Sequence, residues 1–200
     1  MTAQDRPKAV AGPQRRAQLS LFARNFFKHP KMLGSIIPSS PFLVRRLLDR
    51  IDWERARVVV EFGPGVGTIT RELLRRMPPD STLLVLETNQ DFVEFLEQSL
   101  PDPRLQVVKG SAESVQAELE RLGLPPADYV LAGIPFSTMP EDVRERILSG
   151  SVDALSPAGS MLIYQFSSRV LPDLRRVFSA VETDFEPLNI LPARLYYCSP

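Results

Sequence analysis

The chain has 200 residues, 44% of them hydrophobic and 24% charged, with 24 Lys and Arg balanced by 24 Asp and Glu. That suffices for one domain with its own core, and zero net charge withholds any whole-molecule argument for nucleic acid. A lone cysteine, Cys198, excludes a disulfide framework and a cysteine-based zinc cluster, and a lone histidine, His29, leaves metal sites and Ser-His or Cys-His machinery without support.

Residues 1–13 are polar, with two prolines and a glycine, and are expected to form a disordered tail. In QRRAQLSLFARNFFKH, residues 14–29, Leu19, Phe22, Phe26 and Phe27 share one helical stripe. A Pro/Ser-rich link, GSIIPSSPF, leads to a second expected helix, PFLVRRLLDRID, with Pro41 suited to its first turn. Residues 14–50 are thus an N-terminal helical extension, and residues 51–200 the main domain. Charge divides along the same line: residues 1–50 hold ten basic and two acidic residues, so the rest carries the compensating acidic surplus. No secretory h-region and no apolar run of spanning length is present. A reducing, cytoplasmic compartment is expected, and so is a monomer.

From Arg57 strands and helices alternate. Strands are expected at RVVVEF, STLLVLE, RLQVVKG, ADYVLAG and GSMLIYQF. Between them lie helices at GTITRELLRRM, DFVEFLEQSL, ESVQAELERLG and EDVRERILSGSVDAL, the last loosened near Gly150. A short helix interrupted or begun at Pro172 precedes SAVETDFEPL and ARLYYCS, an antiparallel pair at one edge. The sum is an α/β fold, a Rossmann-like seven-stranded, mostly parallel sheet with helices on both faces.

The first strand enters its helix through Gly63, Gly65 and Gly67, with Glu61 just before the turn and Glu87 closing the second strand. Glycines there allow a tight turn and close approach of a ligand to backbone. The spacing is G-x-G-x-G, not the G-x-G-x-x-G of dinucleotide folds, and Glu61 would repel a phosphate while welcoming an ammonium. Together these residues resemble the S-adenosylmethionine-dependent methyltransferases of the Rossmann-like class. The resemblance implies S-adenosylmethionine as cofactor, held by Glu61, Gly63, Gly65, Gly67 and Thr68 at the turn. It also implies that Glu87 and Thr88 take the ribose side. Ser111 stands where an Asp often meets the adenine amino group, and Ala112 would offer its N–H to the ring; Glu113 also reads as a helix-start residue.

The loop after the fourth strand, Ala132-Gly133-Ile134-Pro135-Phe136, has no side chain that ionises or hydrogen-bonds. It resembles the Asn-Leu-Pro-Tyr loop of the ribosomal RNA adenine dimethylases, with Gly133 in the Asn position and Phe136 for Tyr. Lacking the amide grip for a flat amine, it suits an aliphatic amine, through backbone carbonyls and the Phe136 face. Gly34, Pro38, Ser39 and Ser40, with Gly133, Ile134 and Pro135, further resemble the bacterial phospholipid N-methyltransferases, which are related to those dimethylases. That resemblance implies methylation of phosphatidylethanolamine towards phosphatidylcholine, with Ala132 beside the cofactor and Ser39 and Ser40 folding over it as a lid. Ser40 is equally placed to cap the helix that starts at Pro41.

Arg15, Arg16, Arg24, Lys28 and Lys31, set against Phe22, Phe26 and Phe27, describe an interfacial helix drawn to an anionic membrane surface at the inner face. A helix packed on the domain fits the same pattern. Tyr164, Gln165 and Phe166 close the fifth strand beside the expected pocket and are lesser candidates for a headgroup site. An rRNA adenine dimethylase and a non-catalytic lipid-docking module remain the rival functions.

Overall fold

Apolar runs and helical periodicity alternate along the chain, and each segment takes the element its period dictates. In the computed structural model, which describes residues 39–200, the first elements are α1 (Pro41–Leu48), β1 (Val58–Phe62), α2 (Thr68–Arg76), β2 (Thr82–Glu87) and α3 (Gln90–Ser99). Next come β3 (Leu105–Lys109), α4 (Val115–Arg121), β4 (Ala127–Ala132), α5 (Glu141–Ala154) and β5 (Leu155–Gln165). The chain closes with α6 (Leu171–Val177), β6 (Ala180–Glu186) and β7 (Ala193–Ser199). The tail, the candidate membrane residues between Arg15 and Lys31, and Gly34 and Pro38 lie outside the described residues.

The seven strands form one sheet in the order β3-β2-β1-β4-β5-β7-β6. β1 to β5 run parallel, and β7 is antiparallel to both β5 and β6. Two core layers cover its faces. Val58, Val60 and Phe62 share one with Leu148 of α5 and Leu174 of α6, while Val59 shares the other with Leu47 of α1, Leu73 of α2 and Leu96 of α3. Side chains alternate along a strand. Glu61 therefore points to the face of Val59, toward α1 and α2.

α1 packs on the sheet, with Leu43, Leu47 and Leu48 fully buried. Ser40 caps it, accepting from the Leu43 N–H at 3.2 Å, and Arg46 ties it to the sheet edge through Asp184 at 3.0 Å and Glu186 at 2.9 Å. Two details differ from expectation, at Gly150 and at the start of β5. α5 passes Gly150 unbroken, because a helical glycine costs only about 1 kcal/mol against alanine and the helix buries Ile147, Leu148, Ser151 and Ala154. β5 starts at Leu155, earlier than the apolar run implies, since Ala127 already pairs with Leu155 across a bulge. Pro172 lies in the first turn of α6, where its missing N–H costs nothing. No helix among the described residues is long and apolar enough to cross a membrane.

Candidate active site

The carboxyl ends of the parallel strands meet along one edge, where α/β sheets place ligands. The turn after β1 carries positive φ at Gly63, Gly65 and Gly67. A side chain at Gly63 would strike Ile134, its Cβ only 2.7 Å from Cγ2, so the turn and the loop after β4 close against each other. Gly67 is different: it caps α2 and packs on Leu96 of α3, away from the cleft.

Beside this contact lies a cavity of about 230 Å³. Gly63, Gly65, Glu87 and Thr88 form its polar side, and Phe92, Ala112, Ile134 and Met139 are among the groups of its apolar side. Glu87 is buried, and its carboxylate accepts from the Gly65 N–H at 3.2 Å and the Asn89 N–H at 2.9 Å. Burial raises its pKa, while the N–H groups of Asn89, Gly65 and Thr88 pull it back. A carboxylate so held is a fixed acceptor with lone pairs to spare, suited to a pair of ribose hydroxyls. Glu87→Ala is therefore expected to weaken cofactor binding by about 1–3 kcal/mol. Titration calorimetry reads this directly, and an unchanged affinity would remove Glu87 from the site.

A second, narrower recess of about 20 Å³ adjoins the first at Gly63. That is room for small polar groups only. Ser39, Glu61, Thr68, Gly133 and Tyr164 line it. Glu61 is 3% exposed and accepts from the Thr70 hydroxyl at 2.7 Å. Burial pushes its carboxyl up to about 8, against the Thr70 hydrogen bond, and the nearby Glu87 adds to the rise. A desolvated carboxyl in that state favours a cationic neighbour.

Tyr164 completes the recess. A Cβ on Gly133 would lie 2.3 Å from its hydroxyl, so the glycine leaves the place of a side chain to the phenol. Burial raises the Tyr164 pKa above its ordinary 10, Ser39 hydrogen-bonds it and lowers the pKa, and Glu61 raises it further. At neutral pH it is a hydroxyl and not a base. Gln165 holds the loop after β4 in place, its Nε2 donating to the Ile134 carbonyl at 2.8 Å.

The structure brings together Ser39, Glu61, Gly63, Gly65, Thr68, Glu87, Thr88, Ser111, Ala112, Gly133, Ile134 and Pro135 around the two cavities. It places others elsewhere. Phe136 is fully buried in the core and offers no face to the cleft. Phe166, half-buried against the other core layer, meets Tyr164 edge-on at 6.5 Å. Ala132 is a core residue with no exposure, and Ser40 is the helix cap. The Ser111 hydroxyl is engaged locally, accepting from the Glu113 N–H at 3.2 Å and donating to its carboxylate at 3.1 Å; Glu113 begins the turn before α4. In the loop after β4, expected to grip with its carbonyls, those of Ile134 and Pro135 are already engaged. Ile134 O accepts from Phe136 and Gln165, and Pro135 O from the Thr138 N–H and hydroxyl. Thr70 and Tyr164 carry more of the site than the sequence reading gave them.

Among the described residues, no group of three or more His, Cys, Asp or Glu side chains could hold a metal ion. The donor set does fit S-adenosylmethionine. Glu87 offers an acceptor for ribose hydroxyls, Glu61 a counter-charge for an ammonium, and the apolar side of the larger cavity a slot for the base.

A family model described as ribosomal RNA adenine dimethylase matches residues 26–122. An ornithine lipid N-methyltransferase from Singulisphaera acidiphila is 35% identical over 89% of this chain and 94% of its own length. A ribosomal RNA small subunit methyltransferase A from Mycoplasma mycoides is 28% identical over 72% of this chain; the chain spans 52% of that protein. Among solved structures, a methyltransferase from Geobacter sulfurreducens superposes with a TM-score of 0.63 at 17% identity, covering 96% of this chain and 93% of that one.

Proposed function

The chain belongs to the class I S-adenosylmethionine-dependent methyltransferases, in the family of bacterial lipid N-methyltransferases related to the ribosomal RNA adenine dimethylases, and from that premise we propose that its acceptor is the aliphatic amine of a membrane lipid headgroup. Phosphatidylethanolamine, taken towards phosphatidylcholine, presents such an amine. So does an ornithine lipid, the substrate in the name of the Singulisphaera relative.

The observation that carries this reading is the contact of Gly133 with Tyr164. An adenine amine is flat and weakly nucleophilic, and needs an amide grip with a ring stacked on the base. Gly133 supplies no amide, and the Phe136 ring is buried. A deprotonated aliphatic amine is a good nucleophile and needs placement in a dry pocket. When bound, S-adenosylmethionine supplies an electrophilic methyl group on a sulfonium sulfur. The chain's own contribution is positional. Tyr164 offers one hydroxyl to the amine, Gln165 fixes the loop opposite, and Glu61 and the glycine turn set the donor's end of the line. The protein works as a monomer at the inner membrane face, where the basic segment with Arg15, Arg16, Arg24, Lys28 and Lys31 faces anionic lipid.

The test offers labelled S-adenosylmethionine with vesicles of phosphatidylethanolamine, vesicles of ornithine lipid, and ribosomal RNA in separate reactions. Label is expected in the lipid extract, and which vesicle yields it names the headgroup. Label confined to RNA would overturn the proposal.

A further inference from the structure

Five large apolar side chains stand out as strongly exposed among the described residues: Phe42, Phe185, Leu188, Ile190 and Leu191. They are not scattered, as surface hydrophobics of no consequence are. Four belong to the end of β6 and the loop into β7, and Phe42 borders the same corner, beside Arg46, Asp184 and Glu186. Ile190 is 71% exposed and Leu188 60%.

This corner is part of the catalytic edge. β6 runs antiparallel to β7, which runs antiparallel to β5. The loop of residues 187–192 therefore emerges at the same end of the sheet as Gly133 and Tyr164. Asn189, itself buried, binds it there: its Oδ1 accepts from the Ser40 N–H at 2.8 Å, and its Nδ2 donates to the Leu191 carbonyl at 2.9 Å. Ser40 is next to Ser39, which lines the recess. Glu186 also braces the loop, accepting from the Leu188 N–H at 2.7 Å. The apolar tip is thus displayed on a built support.

Most charges around it are already matched, Arg194 instead lying over the Phe185 ring at 6.0 Å. Arg46 pairs with Asp184 and Glu186, Arg50 with Glu182, and Arg45 with Asp49. A protein partner would meet few unspent charges here, and attraction to anionic headgroups is weak. An apolar tip with neutralised flanks at the mouth of a site suits the boundary between headgroups and acyl chains. We infer that the β6–β7 loop inserts Leu188, Ile190 and Leu191 into the lipid bilayer and so seats the recess at headgroup depth. This rests on the lipid-amine reading. It assigns the loop a salt-insensitive part of membrane binding, distinct from the salt-sensitive attraction of the basic N-terminal segment.

The test uses the full chain. Ile190→Cys can be labelled with an environment-sensitive fluorophore, because Cys198 is buried and its thiol is pushed up to about 12. Its emission is expected to shift to the blue with phosphatidylethanolamine–phosphatidylcholine vesicles, even at about 0.5 M salt, where surface electrostatics are screened. The triple variant Leu188→Ser, Ile190→Ser, Leu191→Ser should lose about tenfold or more of vesicle partition at that salt. Its melting temperature, cofactor affinity and turnover of a short-chain, water-soluble phosphatidylethanolamine should be retained. No blue shift, or unchanged partition of the triple variant, would overturn the inference. So would a triple variant whose main change is lost self-association, or exposure of residues 1–38 to protease, since the loop would then cover a second copy or the chain's own N-terminus. Failure of the lipid-amine reading shows separately, as no methyl transfer by the unsubstituted protein to the short-chain lipid.

Discussion

Gly133→Ala is expected to lower methyl transfer by about a hundredfold or more, the scale at which small misplacements act, with a smaller loss of cofactor affinity. The added Cβ would stand 2.3 Å from the Tyr164 hydroxyl, 2.8 Å from Cζ and 3.0 Å from Cε1. No contact of that kind survives, so either the backbone after β4 or the phenol must move. The phenol cannot move without surrendering its hydrogen bond to Ser39. The backbone cannot move without disturbing the Gln165 bond to Ile134 and the contact of Ile134 with Gly63. Either route displaces the group proposed to meet the amine, while Glu87 lies beyond the contact. Overpacking of this kind also costs about 1–3 kcal/mol of stability. Thermal unfolding and turnover of Gly133→Ala, Tyr164→Ala and the double variant form a cycle. The double variant should recover most of the lost stability, since the clash is gone, but not the turnover. Full activity in Gly133→Ala would mean the phenol does not occupy that place. Gly133→Asn meets the same obstacle and should not raise activity on the lipid.

The sheet and its order of elements were legible because each strand is a short continuous apolar run and each helix a periodic one. Glu61 and Glu87 were legible because they close strands next to a glycine turn. What escaped the sequence was the face shared across neighbouring strands, on which Glu61 pairs with Leu131, and Gly133 and Tyr164 lie two residues further on. Glu61 on β1, Gly133 after β4 and Tyr164 on β5 follow Val59, Leu131 and Leu162 by two residues, and those three share one core layer. Their alignment depends on the register of β1 with β4 and of β4 with β5, which no local pattern discloses. Phe136 was misplaced for the opposite reason. Its spacing in the loop resembled that of a stacking ring, but a tight turn after the strand drives it into the core, where a phenylalanine without a polar tip is most stable. The alternation of buried and exposed positions around Leu188 to Leu191 carries no strand or helix period, so an apolar loop looked like ordinary chain until the topology set it on the catalytic edge.

Binding of S-adenosylmethionine is expected to release a substantial fraction of a proton between about pH 6 and about pH 7.5, and Glu61→Gln is expected to abolish that release. Glu61 sits near 8 because burial penalises its charge, so below that pH the free protein holds it largely protonated. An ammonium brought against it favours the ionised form and expels the proton. Affinity should therefore rise with pH through this window, until the ligand's own α-amino group, ordinarily near 7.7–8.0, begins to lose its charge. Calorimetry in buffers of different ionisation enthalpy counts the proton directly. The same shift fixes the pH dependence of folding. A carboxyl raised from 4.5 to about 8 binds more protons folded than unfolded, so its stabilising contribution is complete below about 4.5 and is lost as pH rises through about 8. Glu61→Gln can still accept from Thr70 and no longer titrates, so its melting temperature should fall less than that of the unsubstituted protein between those limits. Glu87, also raised by burial, remains in both proteins and cancels from the comparison. Equal proton release by Glu61→Gln would place the ammonium elsewhere, and with it the line along which the methyl group must travel to the amine beside Tyr164.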